Sequence, residues 1–145
     1  MIHVRRGDFV KDDRHLNIDF YEKGLQIIKN KNINLKYDIF TNDYDWVSQQ
    51  SIFQDAENIF RQKSGKNSNQ KIDGIDGMDD KDETIKTFSS MLRYKHFIAG
   101  NSSFAFWAAY LKSTEDSIVV VPNPWFRNHP HPTLKKNKWY VVEND

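Results

Sequence analysis

A chain of 145 residues with 38% hydrophobic and 14% aromatic residues can build one domain around its own core, which excludes a disordered composition. Its formal net charge of +1 gives no global field to draw in nucleic acid or an anionic bilayer, so no nucleic-acid partner is expected and any cationic site must be local. Without cysteine there is no disulfide framework, thiolate ligand or thiol nucleophile.

Ile2 and Val4 alternate with His3 and Arg5, which predicts a strand over residues 2–5 running into Arg6, Gly7 and Asp8. Residues 9–18 are polar and read as loop. Asp19 is placed to cap a helix over residues 20–31, where Tyr21, Leu25 and Ile28 share a face. Residues 35–41 read as a strand, after which Asn42 or Asp43 caps a short helix through about residue 50. A weak third strand follows at 57–60. Residues 61–82, with Gly65, Gly74 and Gly77 and the acidic Asp79, Asp80 and Asp82, read as a flexible polar loop within the domain. A helix is expected over 83–94, a short strand over 96–99 and a helix over 102–111. In that last helix Phe104, Trp107, Ala108 and Leu111 occupy one face and Phe106 and Tyr110 another, which predicts burial all round. The β-branched run at 118–121 is typical of a strand covered on both faces. Pro122, Pro124, Pro130 and Pro132 then impose an extended path, and residues 139–142 close the chain as a last strand.

Strands alternating with helices predict an α/β fold: a Rossmann-like parallel sheet with helices on both faces. Ligands of such sheets bind outside the C-terminal ends of the strands. Two stretches fall there, Arg5-Arg6 after the first strand and Asn101-Ser102-Ser103 at the start of a helix. Arginine forks match phosphate oxygens, but neighbours on a strand point to opposite faces, so Arg5 and Arg6 are expected to do different jobs unless the strand has already ended. Either could instead form a structural ion pair with Asp8. Free N–H groups at a helix N-terminus attract anions, and the serine hydroxyls add donors. Asn101 or Ser102 could equally be an ordinary N-cap. His129 and His131 flank Pro130 with no carboxylate at ligand spacing, so no metal or other cofactor is expected. No run approaches the roughly 20 apolar residues of a spanning helix, and no leader pattern opens the chain. The expected location is cytoplasmic or peripheral to a membrane.

The motifs themselves carry a resemblance. His3-Val4-Arg5-Arg6-Gly7-Asp8-Phe9 resembles the H-x-R-R-x-D motif of α1,2-, α1,6- and protein O-fucosyltransferases. The stretch Asn101-Ser102-Ser103-Phe104-Ala105-Phe106-Trp107, continuing to Leu111, is similar to the N-S-S-F-S-W-W-x-A-x-L segment of glycosyltransferase family 11, the galactoside α-1,2-fucosyltransferases. Ala105 and Phe106 stand where that family usually has Ser and Trp. Residues 37–43 followed by Trp46-Val47 resemble its F-x-I-F-S-D-D-x-x-W-V, and residues 119–126 its I-V-I-A-P-x-x-W-F.

The resemblance implies the C-terminal, GDP-fucose-binding half of a GT-B-type enzyme spanning residues 1–145, with the N-terminal acceptor-side domain missing. It implies transfer of L-fucose from GDP-fucose to the 2-hydroxyl of a galactoside-containing glycan acceptor, with inversion and without a metal. A catalytically silent GDP-sugar-binding module is the alternative. Arg5 is the implied catalytic residue. His3, Arg5, Arg6, Asp8, Asn101, Ser102, Ser103 and Phe104 are the implied donor-binding set. Membrane association would be peripheral only.

Overall fold

A computed structural model describes residues 1–31, 35–62, 80–128 and 132–144. The elements in chain order are β1 (Ile2–Val4), α1 (Gly7–Lys11), α2 (Ile18–Lys29), β2 (Asp38–Thr41), α3 (Tyr44–Ser48), a 3-10 turn (Ser51–Phe53), β3 (Asn58–Arg61), α4 (Asp80–Met91), β4 (Phe97–Ile98), α5 (Ser103–Lys112), β5 (Val119–Asn123) and β6 (Tyr140–Glu143). The strands form one six-stranded sheet in the order β3-β2-β1-β4-β5-β6, and every pairing is parallel. This is the doubly wound, Rossmann-like arrangement expected from the sequence. The order reverses between β1 and β4, which makes the crevice beyond their C-terminal ends the topological switch point.

Side-chain alternation sorts the core into two layers. Ile2, Val4, Ile39 and Val120 pack under α2 with Phe20, Tyr21, Leu25 and Ile28. Met1, Phe40, Phe97, Val119 and Val121 face the other way, against Met91 and the alanines of α5. A Cβ on Gly24 would lie 3.1 Å from Ile98 Cδ1, so the missing side chain lets α2 lie close against β4. Pro122 sits inside β5, opposite Val142. Alternate β5 carbonyls, those of Ile118 and Val120, face β4. The N–H that Pro122 lacks therefore points past the end of β4, where no ladder bond is lost.

Several boundaries differ from the sequence reading, for identifiable reasons. β1 stops at Val4, not at residue 5. Residues 7–11, part of them expected as loop, form α1. No residue of this short helix is buried; side-chain contacts hold it, with Asp8 on Arg5 and Phe9 against Phe126. α2 begins at Ile18 with Asn17 as N-cap, which leaves Asp19 in the first turn rather than at the cap. β2 is confined to 38–41, and Asp43 caps α3 by accepting from the Trp46 N–H at 3.3 Å. α4 starts at Asp80, inside the stretch expected as loop; residues 63–79 of that stretch lie outside the described residues. α5 buries Ala105, Phe106, Ala108 and Ala109 but turns Trp107, Tyr110 and Leu111 outward, the last at 64% exposure. The small alanines let one face of α5 sit close to the sheet, so the larger side chains on the opposite stripe remain at the surface. Among the described residues no helix is long and apolar enough to cross a membrane.

Candidate functional site

β1 delivers His3, Arg5 and Arg6 to the switch point, with both arginines beyond the strand's last residue, Val4. His3 is fully buried on the α4/α5 side. Its Nε2 hydrogen-bonds Gln62 Oε1 at 2.9 Å, while Nδ1 has no partner among the described residues. Burial, with a further contribution from the nearby Arg5 charge, pulls its pKa down to about 4, so it is neutral near pH 7.

Arg5 lies just beyond the end of β1. Its guanidinium reaches both carboxylate oxygens of Asp8, at 2.8 and 3.0 Å, and lies 5.3 Å from the centroid of the Phe9 ring. Partial burial works against ionising Asp8, but the hydrogen bond and charge of Arg5 outweigh it, and the carboxyl titrates below its ordinary value.

Arg6 turns to the α2/α3 side. Its backbone N–H donates to Asn42 Oδ1 at 2.9 Å, its Nε meets Asp43 Oδ2 at 3.3 Å, and its guanidinium carbon sits 3.9 Å from the centroid of the Trp46 ring. Asn42 also donates to Asp8 at 3.4 Å, so one side chain bridges the settings of both arginines.

From β4 the chain enters α5 through Gly100, whose φ of +61° suits glycine. A Cβ there would lie 3.0 Å from the His3 carbonyl oxygen. Asn101 is buried and donates its Nδ2–H to the Arg14 carbonyl at 2.6 Å. Ser102 is the N-cap residue of α5, yet its side chain makes no capping bond, so neither serine nor asparagine serves as the ordinary cap considered from the sequence. The N-terminal pole of α5 therefore carries no side-chain acceptor, while the hydroxyls of buried Ser102 and exposed Ser103 stand beside it. Phe104 packs against Phe88 with centroids 5.3 Å apart, a core contact at the rim.

Two further arginines reach this region that sequence reasoning did not single out. The Arg14 guanidinium lies over Phe9 (4.5 Å) and Phe126 (5.7 Å) and is paired with Asp12. Arg127 bonds Asp13 at 3.2 Å and the His15 carbonyl at 3.3 Å. Asp13 adopts φ +50° and also accepts from Asn128 Nδ2 at 2.9 Å, which ties the loop after α1 to the loop after β5. Burial first, then the charges of Arg6 and Arg127, hold the pKa of His15 below its ordinary value. The four motifs quoted from the sequence thus meet at one place. The β1 motif touches the β2–α3 motif through Arg6, and the β5 motif through Phe9 and Phe126. The α5 motif joins the same loop through Asn101 and Arg14.

Among the described residues no group of three or more His, Cys, Asp or Glu side chains comes together as a metal site; His129 and His131 lie outside them. A surface groove of about 460 Å³ lies between α2 and β6, lined by Lys23, Ile27, Asn30 and Val142 among others. It belongs to the β6 edge of the sheet rather than to the β1/β4 junction, and none of the motif residues line it.

A family model described as Glycosyl transferase family 11 matches residues 1–143. The chain belongs to that family. Two curated relatives of this family 11 chain come from Escherichia coli, each 27% identical to it. One, named Alpha-1,2-colitosyltransferase, aligns over 98% of this chain and 47% of its own length. The other, O-antigen biosynthesis glycosyltransferase WbnK, aligns over 95% of this chain and 42% of its own length. The chain therefore spans about half the length of the curated relatives it matches. No solved structure matches it significantly.

Proposed function

We propose that this domain binds the diphosphate of GDP-fucose at the β1/β4 switch point and serves an inverting, metal-independent transfer of L-fucose to the 2-hydroxyl of a galactoside. The observation that carries the reading is that Arg5 follows the end of β1 and α5 follows β4 at the same switch point, and that the N-cap residue of α5 makes no side-chain capping bond. A diphosphate bridging the two would take the Arg5 fork in exchange for Asp8 and would meet the positive end of the helix.

As the glycosidic bond breaks, the sugar gains oxocarbenium character and negative charge grows on the departing diphosphate. Donors already aimed at that charge stabilise the transition state more than the ground state. Arg5 is the residue assigned to that task. Arg6 and the Ser102/Ser103 turn hold the phosphates, and His3 and Asp8 shape the loop. Neutral, buried His3 suits such a role, since it adds no charge beside the donor. Asn101 fixes the chain between β4 and α5, and Phe104 anchors the start of the helix.

The name of the colitosyltransferase relative makes a colitosyl donor the natural competitor in an assay. The test is transfer of fucose and of colitose to lactose and related galactosides, paired with calorimetry of GDP. Binding with transfer supports the enzyme. Binding of GDP without transfer supports a donor-binding module. No GDP binding overturns both.

A further inference from the structure

Resting on that reading of the site, we infer that Trp46 is a positioning residue that, together with Asp43, aims Arg6 at the donor's phosphates. The motif of β2 and α3 carries no group that would react with a sugar nucleotide, yet it encloses Arg6 on three sides. Asn42 takes the backbone N–H, Asp43 takes Nε, and the indole of Trp46 covers a face of the guanidinium at 3.9 Å.

One carboxylate links the parts. Asp43 Oδ1 accepts the Trp46 N–H and so caps the helix that carries the indole, while Oδ2 holds Arg6. Asp43 is itself fixed, its N–H donating to Thr41 Oγ1 at 2.9 Å on a fully buried side chain. Trp46 in turn packs on Phe53, with centroids 6.3 Å apart, and Phe53 is in the core.

The clamp therefore has a rigid origin, and it occupies the Nε edge and one face of the guanidinium. Among the described residues the Nη groups have no carboxylate partner, which leaves the fork that matches phosphate geometry available. The Arg6 side chain is 13% exposed, so it reaches an anion only from this fixed setting. A guanidinium held in its binding geometry loses less freedom when it closes on a phosphate.

The test is a double-mutant cycle on the full chain, read by GDP calorimetry with thermal melting alongside. Trp46→Leu removes the π-face and is expected to weaken GDP binding roughly 2- to 30-fold, the range of a cation–π contact. Trp46→Phe keeps a ring and should retain most of the affinity, which separates positioning from damage to the Phe53 packing. In an Arg6→Ala background Trp46→Leu should cost nothing further, because its effect passes through Arg6. An equal cost of Trp46→Leu with and without Arg6 overturns the inference. So does wild-type GDP affinity in Trp46→Leu or in Arg6→Ala, both of which leave the Arg5 reading standing. Failure of the wild-type chain to bind GDP overturns the proposed function and this inference together.

Discussion

Replacing Gly100 by alanine tests whether the join between β1 and β4 sets the site. Two costs add at this position. The φ of +61° is left-handed, which costs an L-residue about 1–2 kcal/mol. The new Cβ would also stand 3.0 Å from the His3 carbonyl oxygen, a backbone atom that moves only if β1 moves. Against these, alanine has less freedom than glycine in the unfolded chain, worth about 0.4–1 kcal/mol in the other direction. The balance is a loss of about 1–3 kcal/mol, or roughly 3–10 °C in melting temperature for a domain of this size. Thermal melting and urea titration measure it. Gly100→Asn separates the terms, since asparagine tolerates the left-handed region but carries the same Cβ. It should lose less than alanine and still fall below wild type. Because the crowded atom belongs to the residue two before Arg5, GDP affinity should decline in both variants. An alanine variant that melts within 1 °C of wild type and binds GDP unchanged would refute the reasoning.

Arg5→Lys should lose most donor affinity or turnover, on the order of 100-fold, since an ammonium cannot reproduce a planar fork; near-wild-type kinetics would remove Arg5 from the role. His3 makes stability depend on pH. Its folded pKa, about 4, lies below the unfolded 6.5, so the unfolded state binds more protons between those values. Stability is complete above about pH 6.5 and falls as pH drops toward 4, by up to about 3 kcal/mol from this group. His15 and His96, whose pKa values are also lowered, act in the same direction. Urea midpoints across pH 4–8 should show the slope, and His3→Asn should flatten it. Asn101→Asp should destabilise by about 1–3 kcal/mol, because a buried carboxylate would face the Arg14 carbonyl that now receives an amide hydrogen; an unchanged melting temperature would show that this bond carries no weight.

The parallel sheet was legible because its strands are apolar at period two or continuously apolar, as at Ile2/Val4 and 119–121. Arg5 and Arg6 do have different partners, but both lie past the end of β1, so strand alternation did not decide them. What the residues alone did not reveal was the meeting of Arg14, Arg127, Phe9 and Phe126. The contacts of Phe9, Asp13 and Arg14 with Phe126 and Arg127 join positions more than a hundred residues apart, and cation–aromatic stacking leaves no periodic trace in a sequence. α1 escaped for a related reason: its five residues have no buried face, and their helical state depends on partners elsewhere in the chain. The outward face of α5 was misjudged because two apolar stripes do not tell which one faces the sheet. The alanines at 105, 108 and 109 were the available signal, since small side chains mark the closer approach.

The central position of β1 has a consequence for how the domain forms. Its two neighbours are β2 and β4, and Ile2 pairs with both Ile39 and Ile98. β2 follows β1 closely in the chain, but β4 lies almost a hundred residues further along, and closing so long a loop costs entropy before any contact repays it. The β2–α3 motif can hold Arg6 early, but the α5 side of the switch point is missing until the second half of the sheet exists, and until then β1 offers one unpaired apolar edge to other chains. The refolding rate should be slow for a domain of this length, and GDP binding should be among the last properties to return.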